Sequence, residues 1–235
     1  MQAAELREKL LDAALNHVAF DGWSEATFNA ALADSGLEPG LARALFPRGG
    51  LDLAMAYHQR GDREMMRQLA AEDLSGLRFR DRIARAVMLR LSLAEREAVQ
   101  RGTTLFALPQ NAAQGSKAIW GTADAIWSAL GDKSEDVNWY SKRATLSAVY
   151  AATVLFWLGD DSPEHQATRD FLDRRIDGVM QFEKVKAKLA QNPLGKALIA
   201  GPLKFLGRIR APALPADLPG RETPAEAPEG GPQSG

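Results

Sequence analysis

Aromatic, aliphatic and cationic side chains recur at three- and four-residue steps between residues 139 and 157, which places them on one face of a helix. The face consists of Trp139, Arg143, Leu146, Tyr150 and Trp157. A guanidinium stays charged on such an apolar face, so it must reach water, pair with a carboxylate or bind an anionic ligand group such as a phosphate. The residues alone leave carboxylate pairing and ligand binding equally open.

Side chains that could support enzyme chemistry are few. The chain has no cysteine, and His17, His58 and His165 lack the spacing of metal ligands. We find no nucleophile paired with a base and no phosphate-binding loop, and the acidic pair Asp160-Asp161 is typical of a loop at a helix start. We therefore expect no metal, no cofactor and no enzyme activity, an expectation that measured turnover by the pure protein would overturn.

Composition indicates a globular protein with a sizeable core. Of the 235 residues, 46% are hydrophobic and 25% are charged, and the formal net charge is −1. No stretch approaches the roughly 20 apolar residues that a membrane span needs. Glu5, Glu8 and Asp12 argue against a signal peptide and against an acid-poor transit peptide, so we expect a cytosolic protein.

Nearly every segment has helical periodicity, and alternating runs of β-branched residues are absent, so we predict an all-α fold. Three short helices are expected at about 3–20, from a Ser24 cap to about 34, and from Pro39 to about 46, before a long fourth helix. Later helices are expected at about 79–101, 112–130, 137–158 and 163–188. Residues 102–111 would form the one long connection in this larger part.

The C-terminal part combines positive charge with an apolar helical face. Residues 184–210 carry seven cationic side chains and no acidic one. Such a helix suits an anionic membrane surface or the groove of a partner, although a helix packed on the core is the simpler alternative. It contains a Gly201-Pro202 break and leads to a tail, 211–235, that is rich in proline and expected to be disordered. The residues expected to bind the membrane are Leu194, Lys196, Leu198, Pro202, Lys204, Phe205, Arg208 and Ile209.

The amino-terminal helices resemble the helix-turn-helix head of the TetR family of repressors. In that family the second helix of the motif enters the major groove of DNA, and a larger helical domain dimerises around a small apolar ligand. The resemblance implies a TetR-repressor-like fold. The matching residues are Leu10 to Leu15, Phe20-Asp21-Gly22-Trp23, Thr27, Gly36-Leu37 and Leu45-Phe46-Pro47.

The head lacks the charges that DNA binding needs. Residues 1–60 hold eight acidic and five basic side chains, and the expected reading helix, 38–45, offers a single base, Arg43. Ala44 and Gly49 stand where such repressors usually carry a tyrosine and a lysine. Since phosphate contacts supply most non-specific affinity, we expect no nucleic-acid partner. A TetR-type, ligand-responsive transcriptional regulator is the alternative function.

A second resemblance centres on residues 138–144, which read Asn-Trp-Tyr-Ser-Lys-Arg-Ala. Together with Leu-Pro-Gln-Asn-Ala at 108–112 and the repressor-like head, this motif is similar to the accessory protein family of coenzyme Q biosynthesis, the ninth of the Coq series. The similarity extends over about residues 5–210. Without a targeting extension, it implies a bacterial version in the cytoplasm, peripheral on the inner membrane.

This resemblance implies a lipid carrier. The protein would hold an isoprenoid quinone precursor, or a phospholipid, and present the precursor to the hydroxylase that modifies its ring, docking through Trp139 and Tyr140. The helices from Val137 and Pro163 would pair in a homodimer. The implied domains are a head at 1–60, a lipid-binding and dimerisation domain at 61–188, a membrane-binding helix at 189–210 and the tail. The residues implied to bind lipid are Arg143 at the cavity mouth and Leu146, Tyr150, Val154, Ile119 and Trp127 in the lining.

Overall fold

A computed structural model describes residues 3–134 and 137–191, and every regular element in these ranges is helical, which confirms the all-α prediction. Two single turns of 3-10 helix, Pro109–Asn111 and Pro163–His165, precede α7 and α9. The α-helices are α1 Ala3–Asp21, α2 Glu25–Ser35, α3 Pro39–Leu45, α4 Gly50–Ala71, α5 Phe79–Ser92, α6 Arg96–Ala107, α7 Ala112–Ala129, α8 Val137–Leu158 and α9 Gln166–Gln191.

Local capping sets the boundaries of the three short helices. The Ser24 hydroxyl accepts a hydrogen bond from the backbone N–H of Thr27 at 3.2 Å, and so caps α2 as predicted. Gly36 ends α2 in the left-handed region, with φ of 64°, where a residue with a β-carbon would be strained. The Glu38 carboxylate accepts from the N–H groups of Gly40 and Leu41 and so caps α3. The Glu38 carboxylate, at the start of the helix that would read DNA, is therefore engaged in capping α3.

Two hydrophobic cores share α4. The first core lies among α1, α2, α3 and the start of α4, where Leu53 is fully buried. The second lies among α4 to α9, where Met65, three turns further along α4, is fully buried. The helix therefore ties the head to the larger helical part. The domain boundaries at 60 and 188 stay predictions. Residues 192–210 of the predicted membrane-binding helix, 189–210, and the tail lie outside the described residues.

The predicted helix at 79–101 is wrong, because the chain bends at residues 93–95. Helix α5 ends at Ser92, and α6 begins at Arg96 and continues to Ala107, so the predicted connection at 102–111 is wrong as well. Contacts with distant residues hold the bend: the Tyr57 hydroxyl accepts from the N–H of Glu95 at 2.8 Å, and the Trp23 indole donates to the Ala98 carbonyl at 2.9 Å. The bend turns α6 onto the head.

The acidic pair at the start of α9 has a structural role, as expected for a helix-start loop. The Asp160 carboxylate accepts from the N–H groups of Ser162 and Thr168, each at 2.9 Å. Hydrogen bonds from the side chains of Ser162 and Thr168, with a smaller contribution from these N–H groups, hold the pKa of Asp160 well below its usual range. Asp161 pairs with Arg96 at 2.9 Å. Within the described ranges, no helix has the length and apolar character that a membrane crossing requires.

Candidate functional site

A large cavity of about 480 Å³ lies between α4, α5, α6, α7 and α8. The bend between α5 and α6 forms one wall, so Ala94, Ala98 and Gly102 line it. Its lining is mostly apolar, and its volume falls in the range of about 300–1,000 Å³ typical of small-molecule sites. Of the residues predicted to line a lipid cavity, Ile119, Tyr150 and Val154 do line this one.

The large cavity has a buried wall and an exposed mouth. Leu91 and Ala98 on the buried wall are almost inaccessible to water. At the other extreme, Ala107 and Ala112 are exposed, and Leu155 is 61% exposed. The mouth of the large cavity therefore lies at the end of α6 and the start of α7, beside Leu155.

A polar cluster, defined here as His58, Asp62, Arg90, Thr122 and Tyr150, lies beside the buried wall. The Arg90 Nε donates to Asp62 Oδ1 at 2.7 Å, and the Thr122 hydroxyl donates to the same oxygen at 2.8 Å. His58 Nε2 lies 2.7 Å from Thr122 Oγ1. His58, Arg90 and Tyr150 reach the cavity surface, whereas Asp62 and Thr122 support them from behind.

The polar cluster has no net charge near neutral pH. Burial lowers the pKa of His58, although the charge of Asp62 opposes this effect, so the imidazole is neutral. Burial raises the pKa of Tyr150, so its phenol keeps its proton. The remaining two charges, on Arg90 and Asp62, offset each other across their hydrogen bond.

A small cavity of about 270 Å³ lies on the other side of α8, between α5, α7 and α9. Leu146 and Trp127, predicted to line the lipid cavity, line this one and are absent from the lining of the large cavity. The ring of Trp127 lies 5.4 Å from that of Phe79, and the Lys142 ammonium lies 5.1 Å from the Trp127 ring. The predicted lining is thus divided between two cavities, and lipid contact at Leu146 and Trp127 stays a prediction.

Arg143 lines neither cavity, because two carboxylates hold it between α7 and α8. Its Nε donates to Asp124 at 2.5 Å, and its Nη1 donates to Asp132 at 3.0 Å. The guanidinium carbon also lies 3.9 Å from the centre of the Trp139 ring. This geometry corresponds to the carboxylate pairing that the sequence left open, and the position at a cavity mouth is not observed. A contact between Arg143 and lipid stays a prediction.

Asp132 anchors the loop between α7 and α8. Burial acts to raise its pKa, but hydrogen bonds from Lys142, Ser134 and Arg143 outweigh that effect and hold the pKa at about 2. The Lys142 ammonium lies 2.8 Å from Asp132 Oδ1, and Arg143 contacts the other oxygen. The carboxylate thus fixes the first turns of α8, where Trp139 and Tyr140 lie.

Trp120, Trp139 and Tyr140 form an aromatic patch, and all three side chains are half-buried. The centre of the Trp120 ring lies 6.0 Å from that of Trp139 and 6.4 Å from that of Tyr140. Trp120 is not among the residues predicted from the sequence. A signal was available, because Trp120 and Asp124 are four apart on α7, just as Trp139 and Arg143 are on α8. The two pairs meet, ring against ring and carboxylate against guanidinium.

Arg43, the one basic residue of the helix that would read DNA, interacts with other residues of the head. The Arg43 guanidinium pairs with Glu25 at 2.8 Å and lies 4.3 Å from the centre of the Phe28 ring. Arg48, just after α3, pairs with Asp52 at 2.6 Å. An arginine that already pairs with a carboxylate must exchange that contact before it can bind a phosphate.

Comparisons with known proteins relate the chain to ubiquinone biosynthesis. The COQ9 family model matches residues 112–183, which include α7, α8 and most of α9. The chain is 32% identical over 194 residues to the "Probable ubiquinone biosynthesis protein coq9, mitochondrial" of Dictyostelium discoideum, covering 77% of this chain and 62% of that protein. It is 30% identical to Xenopus laevis COQ9-B over 84% of this chain and 69% of that protein. For human COQ9 the identity is 27%, over 84% of this chain and 64% of that protein.

The chain spans less than two thirds of the Dictyostelium and human relatives, so its first residues carry no information about targeting. The predicted location in the bacterial cytoplasm is wrong, because these relatives are named as mitochondrial proteins. The solved structure of a TetR transcriptional regulator from Nitrosomonas europaea matches with a TM-score of 0.59 and 20% identity, over 74% of this chain and 97% of that one. This likeness confirms the TetR-like fold.

Proposed function

The chain belongs to the COQ9 family of ubiquinone biosynthesis proteins, and we propose that it binds an isoprenoid quinone precursor and presents it to the hydroxylase that modifies the precursor's ring. In this proposal the chain is an accessory carrier and the hydroxylase supplies the catalysis. The role in ubiquinone biosynthesis follows from the family. The observation that carries the proposal further is the large, mostly apolar cavity with an exposed mouth.

A carrier is needed because of the physical properties of the substrate. Each methylene of an isoprenoid tail that is exposed to water costs about 0.8 kcal/mol, so the precursor does not cross water unaided to reach an enzyme. The apolar lining, with Ile119, Val154 and Leu155 on two facing helices, replaces part of the membrane environment. The exposed Leu155 at the mouth gives the part of the tail outside the cavity an apolar contact.

The aromatic patch is the proposed docking surface for the hydroxylase. Tryptophan and tyrosine combine a large apolar ring with a polar group, and they are enriched among the residues that dominate interface energies. Trp139 is held by Trp120 on one side and by the Arg143 guanidinium on the other, so little side-chain entropy is lost when a partner binds. A fixed aromatic surface of this kind suits reversible docking.

The cationic segment, residues 184–210, is the proposed membrane contact, and its first residues form the end of α9. Each base near an anionic leaflet contributes about 1 kcal/mol, which is weak enough for reversible binding. A chain ending at residue 183 should lose co-sedimentation with anionic vesicles, and unchanged co-sedimentation would exclude this contact.

We also propose a homodimer through α8 and α9, where the exposed Phe156 stacks on Phe171 at 4.4 Å between ring centres.

Lipid extraction and mass spectrometry of the freshly purified protein test the carrier proposal. We expect a bound isoprenoid quinone precursor, and we expect Val154→Trp, which places an indole in the large cavity, to abolish it. Thr145→Val is the matched control and should keep the lipid, because Thr145 also lies on α8 but lines the small cavity. A precursor retained by Val154→Trp would place the lipid elsewhere, and an empty wild-type protein would argue against a carrier.

A pull-down with the hydroxylase tests the docking surface separately. Trp139→Lys should lose the enzyme while it keeps the bound lipid, because Trp139 lines neither cavity. Phe20→Lys removes an exposed aromatic ring near the C-terminal end of α1, outside the aromatic patch, and should leave the binding unchanged. Equal capture of wild type and Trp139→Lys would remove the patch from the proposal.

A transcriptional regulator is the second candidate, and the likeness to the Nitrosomonas regulator favours it at the level of fold. The engaged Arg43 and the acidic cap at Glu38 oppose it, because both occupy the helix that would read DNA. A gel-shift titration at low salt distinguishes the two functions. A specific, saturable complex with a genomic fragment would support the regulator, and a lack of any complex would support the carrier.

A further inference from the structure

The buried wall of the large cavity carries a guanidinium with an unused donor. The side chain of Arg90 is 3% exposed, its Nε donates to Asp62, and its Nη2 donates to the His58 carbonyl at 3.0 Å. Among the residues that the structure describes, none accepts a hydrogen bond from Nη1. Arg90 lines the cavity and Nη1 is not among the fully enclosed polar atoms, so Nη1 can donate to an acceptor atom on a ligand that occupies the cavity.

The position of this donor is fixed. A β-carbon built on Gly61 would lie 2.5 Å from Arg90 Cζ and 2.7 Å from Nη1, so the guanidinium lies flat against the glycine in α4. Asp62 and the His58 carbonyl hold two edges of the same plane. A donor fixed in this way loses little conformational freedom when a ligand binds, which favours recognition of a definite atom.

The charge balance of the polar cluster selects the kind of acceptor. Asp62 already offsets the charge of Arg90, and it lies directly behind the guanidinium. A phosphate or carboxylate in this cavity would lose its hydration and gain no net opposite charge, which is unfavourable for an ion in an apolar site. An uncharged oxygen, such as a phenol or quinone oxygen, would complete the hydrogen bonding without that cost.

The size of the large cavity selects the orientation of the ligand. A volume of about 480 Å³ accommodates a substituted ring and the beginning of its chain, whereas a long polyprenyl tail exceeds it. The remainder of the tail must leave through the mouth beside Leu155. The polar end and the apolar end of such a ligand thus match the buried wall and the mouth, respectively.

We propose that Arg90, with Tyr150 beside it, is a recognition site for the uncharged oxygen-bearing ring of the isoprenoid ligand, which enters the large cavity first and leaves its tail at the mouth. This inference rests on the proposed carrier function, and it assigns the ring specificity to named residues. The site selects ligands that carry a ring oxygen against isoprenoids that lack one. It also holds the ring weakly, by about one hydrogen bond, so the ring can leave for the hydroxylase.

Calorimetric titration of the full chain with two matched probes tests the site. The probes are a farnesyl-substituted phenol and the corresponding farnesyl-substituted benzene, which has the same carbon skeleton without the oxygen. A hydrogen bond to a charged group corresponds to about tenfold in affinity or more, so we expect the wild type to bind the phenol at least about tenfold more tightly.

Three variants separate recognition from folding. Arg90→Lys keeps the charge that Asp62 needs but removes the donor at Nη1, and the double variant Asp62→Leu, Arg90→Met replaces the ion pair by apolar side chains. In both, the ratio of the two affinities should fall toward one. Ile119→Ala, on the apolar lining, is the matched control and should weaken both probes while the ratio stays unchanged.

The orientation has its own readout. A phenol probe with a photoreactive group at the end of its tail should label residues at the mouth, such as Leu155, and a probe with the group on its ring should label the peptide that contains Arg90. The reverse pattern would overturn the inference, as would equal binding of the two probes by the wild type or an unchanged ratio in both folded Arg90 variants. These outcomes leave the carrier function standing. A wild type that binds neither probe would overturn the carrier function together with this site.

Discussion

Replacing Arg143 by methionine tests whether the contact between α7 and α8 is a buried ion pair on which the fold depends. The Arg143 side chain is 3% exposed and that of Asp132 is 4% exposed, so removal of the cation leaves a carboxylate in a nearly dry site. Removing one partner of a buried pair destabilises proteins by about 3–5 kcal/mol. Because Lys142 and Ser134 still contact Asp132, we expect the lower end of this range, about 3 kcal/mol.

The second partner of Arg143 provides a matched control. Asp124 is 43% exposed, so its contact with Arg143 is partly solvated and Asp124→Asn should cost less than about 1 kcal/mol. The double variant Arg143→Met, Asp132→Leu should recover much of the loss, because it also removes the nearly dry Asp132 carboxylate, whereas the two charges that lose a partner, Asp124 and Lys142, are partly solvated.

Urea denaturation at pH 7, followed by far-UV circular dichroism, measures these free energies of unfolding. A loss below about 1 kcal/mol in Arg143→Met would exclude a buried ion pair, because it would mean that water reaches Asp132 in the folded protein. A double variant that is less stable than Arg143→Met would exclude it as well. In that case Asp132 would stabilise the fold through Lys142 and not through Arg143.

Three further outcomes follow from the same geometry. The pKa of Asp132 is about 2 in the folded protein and about 3.9 in the unfolded chain, so its contribution to stability is complete above about pH 4 and is lost as the pH falls toward 2. Asp132→Asn should therefore flatten the dependence of the unfolding free energy on pH in this range. An unchanged slope would contradict the low pKa of Asp132. Gly61→Ala should destabilise the protein by about 1–3 kcal/mol in thermal unfolding, because the new methyl group displaces the buried Arg90 guanidinium. A change below about 0.5 kcal/mol would mean that the guanidinium moves freely. Val154→Trp should lose isoprenoid binding in calorimetry and keep its thermal stability, because the indole fills the space of the large cavity. Retained binding would place the ligand outside the large cavity.

The sequence predicts the elements whose signals are local. The predicted bounds of α8, 137–158, agree with the structure, and the predicted cap at Ser24 is confirmed, because a hydroxyl cap acts within one helical turn. The bend at 93–95 has no glycine or proline to mark it. It is held by Tyr57 and Trp23 from distant parts of the chain, so local periodicity could not reveal it.

In the candidate site, too, the local signals were predicted from the sequence and the contacts between distant residues were not. The periodicity of α8 identified an apolar face, but α8 has a cavity on each of two sides, so Leu146 and Tyr150 belong to different cavities although they are four residues apart. The sequence named carboxylate pairing for Arg143 as one of two alternatives, and it could not identify Asp124 and Asp132 as the partners. The polar cluster around Arg90 gave no sequence signal, because its members come from four helices.

The rate at which the purified hydroxylase converts a precursor embedded in vesicles tests the carrier function most directly. We expect added wild-type protein to raise the initial rate. Val154→Trp should fail to raise it although this variant still binds the hydroxylase, and Trp139→Lys should fail although it still binds the lipid. Equal rates with wild type, with Val154→Trp and with no added protein would exclude the carrier function.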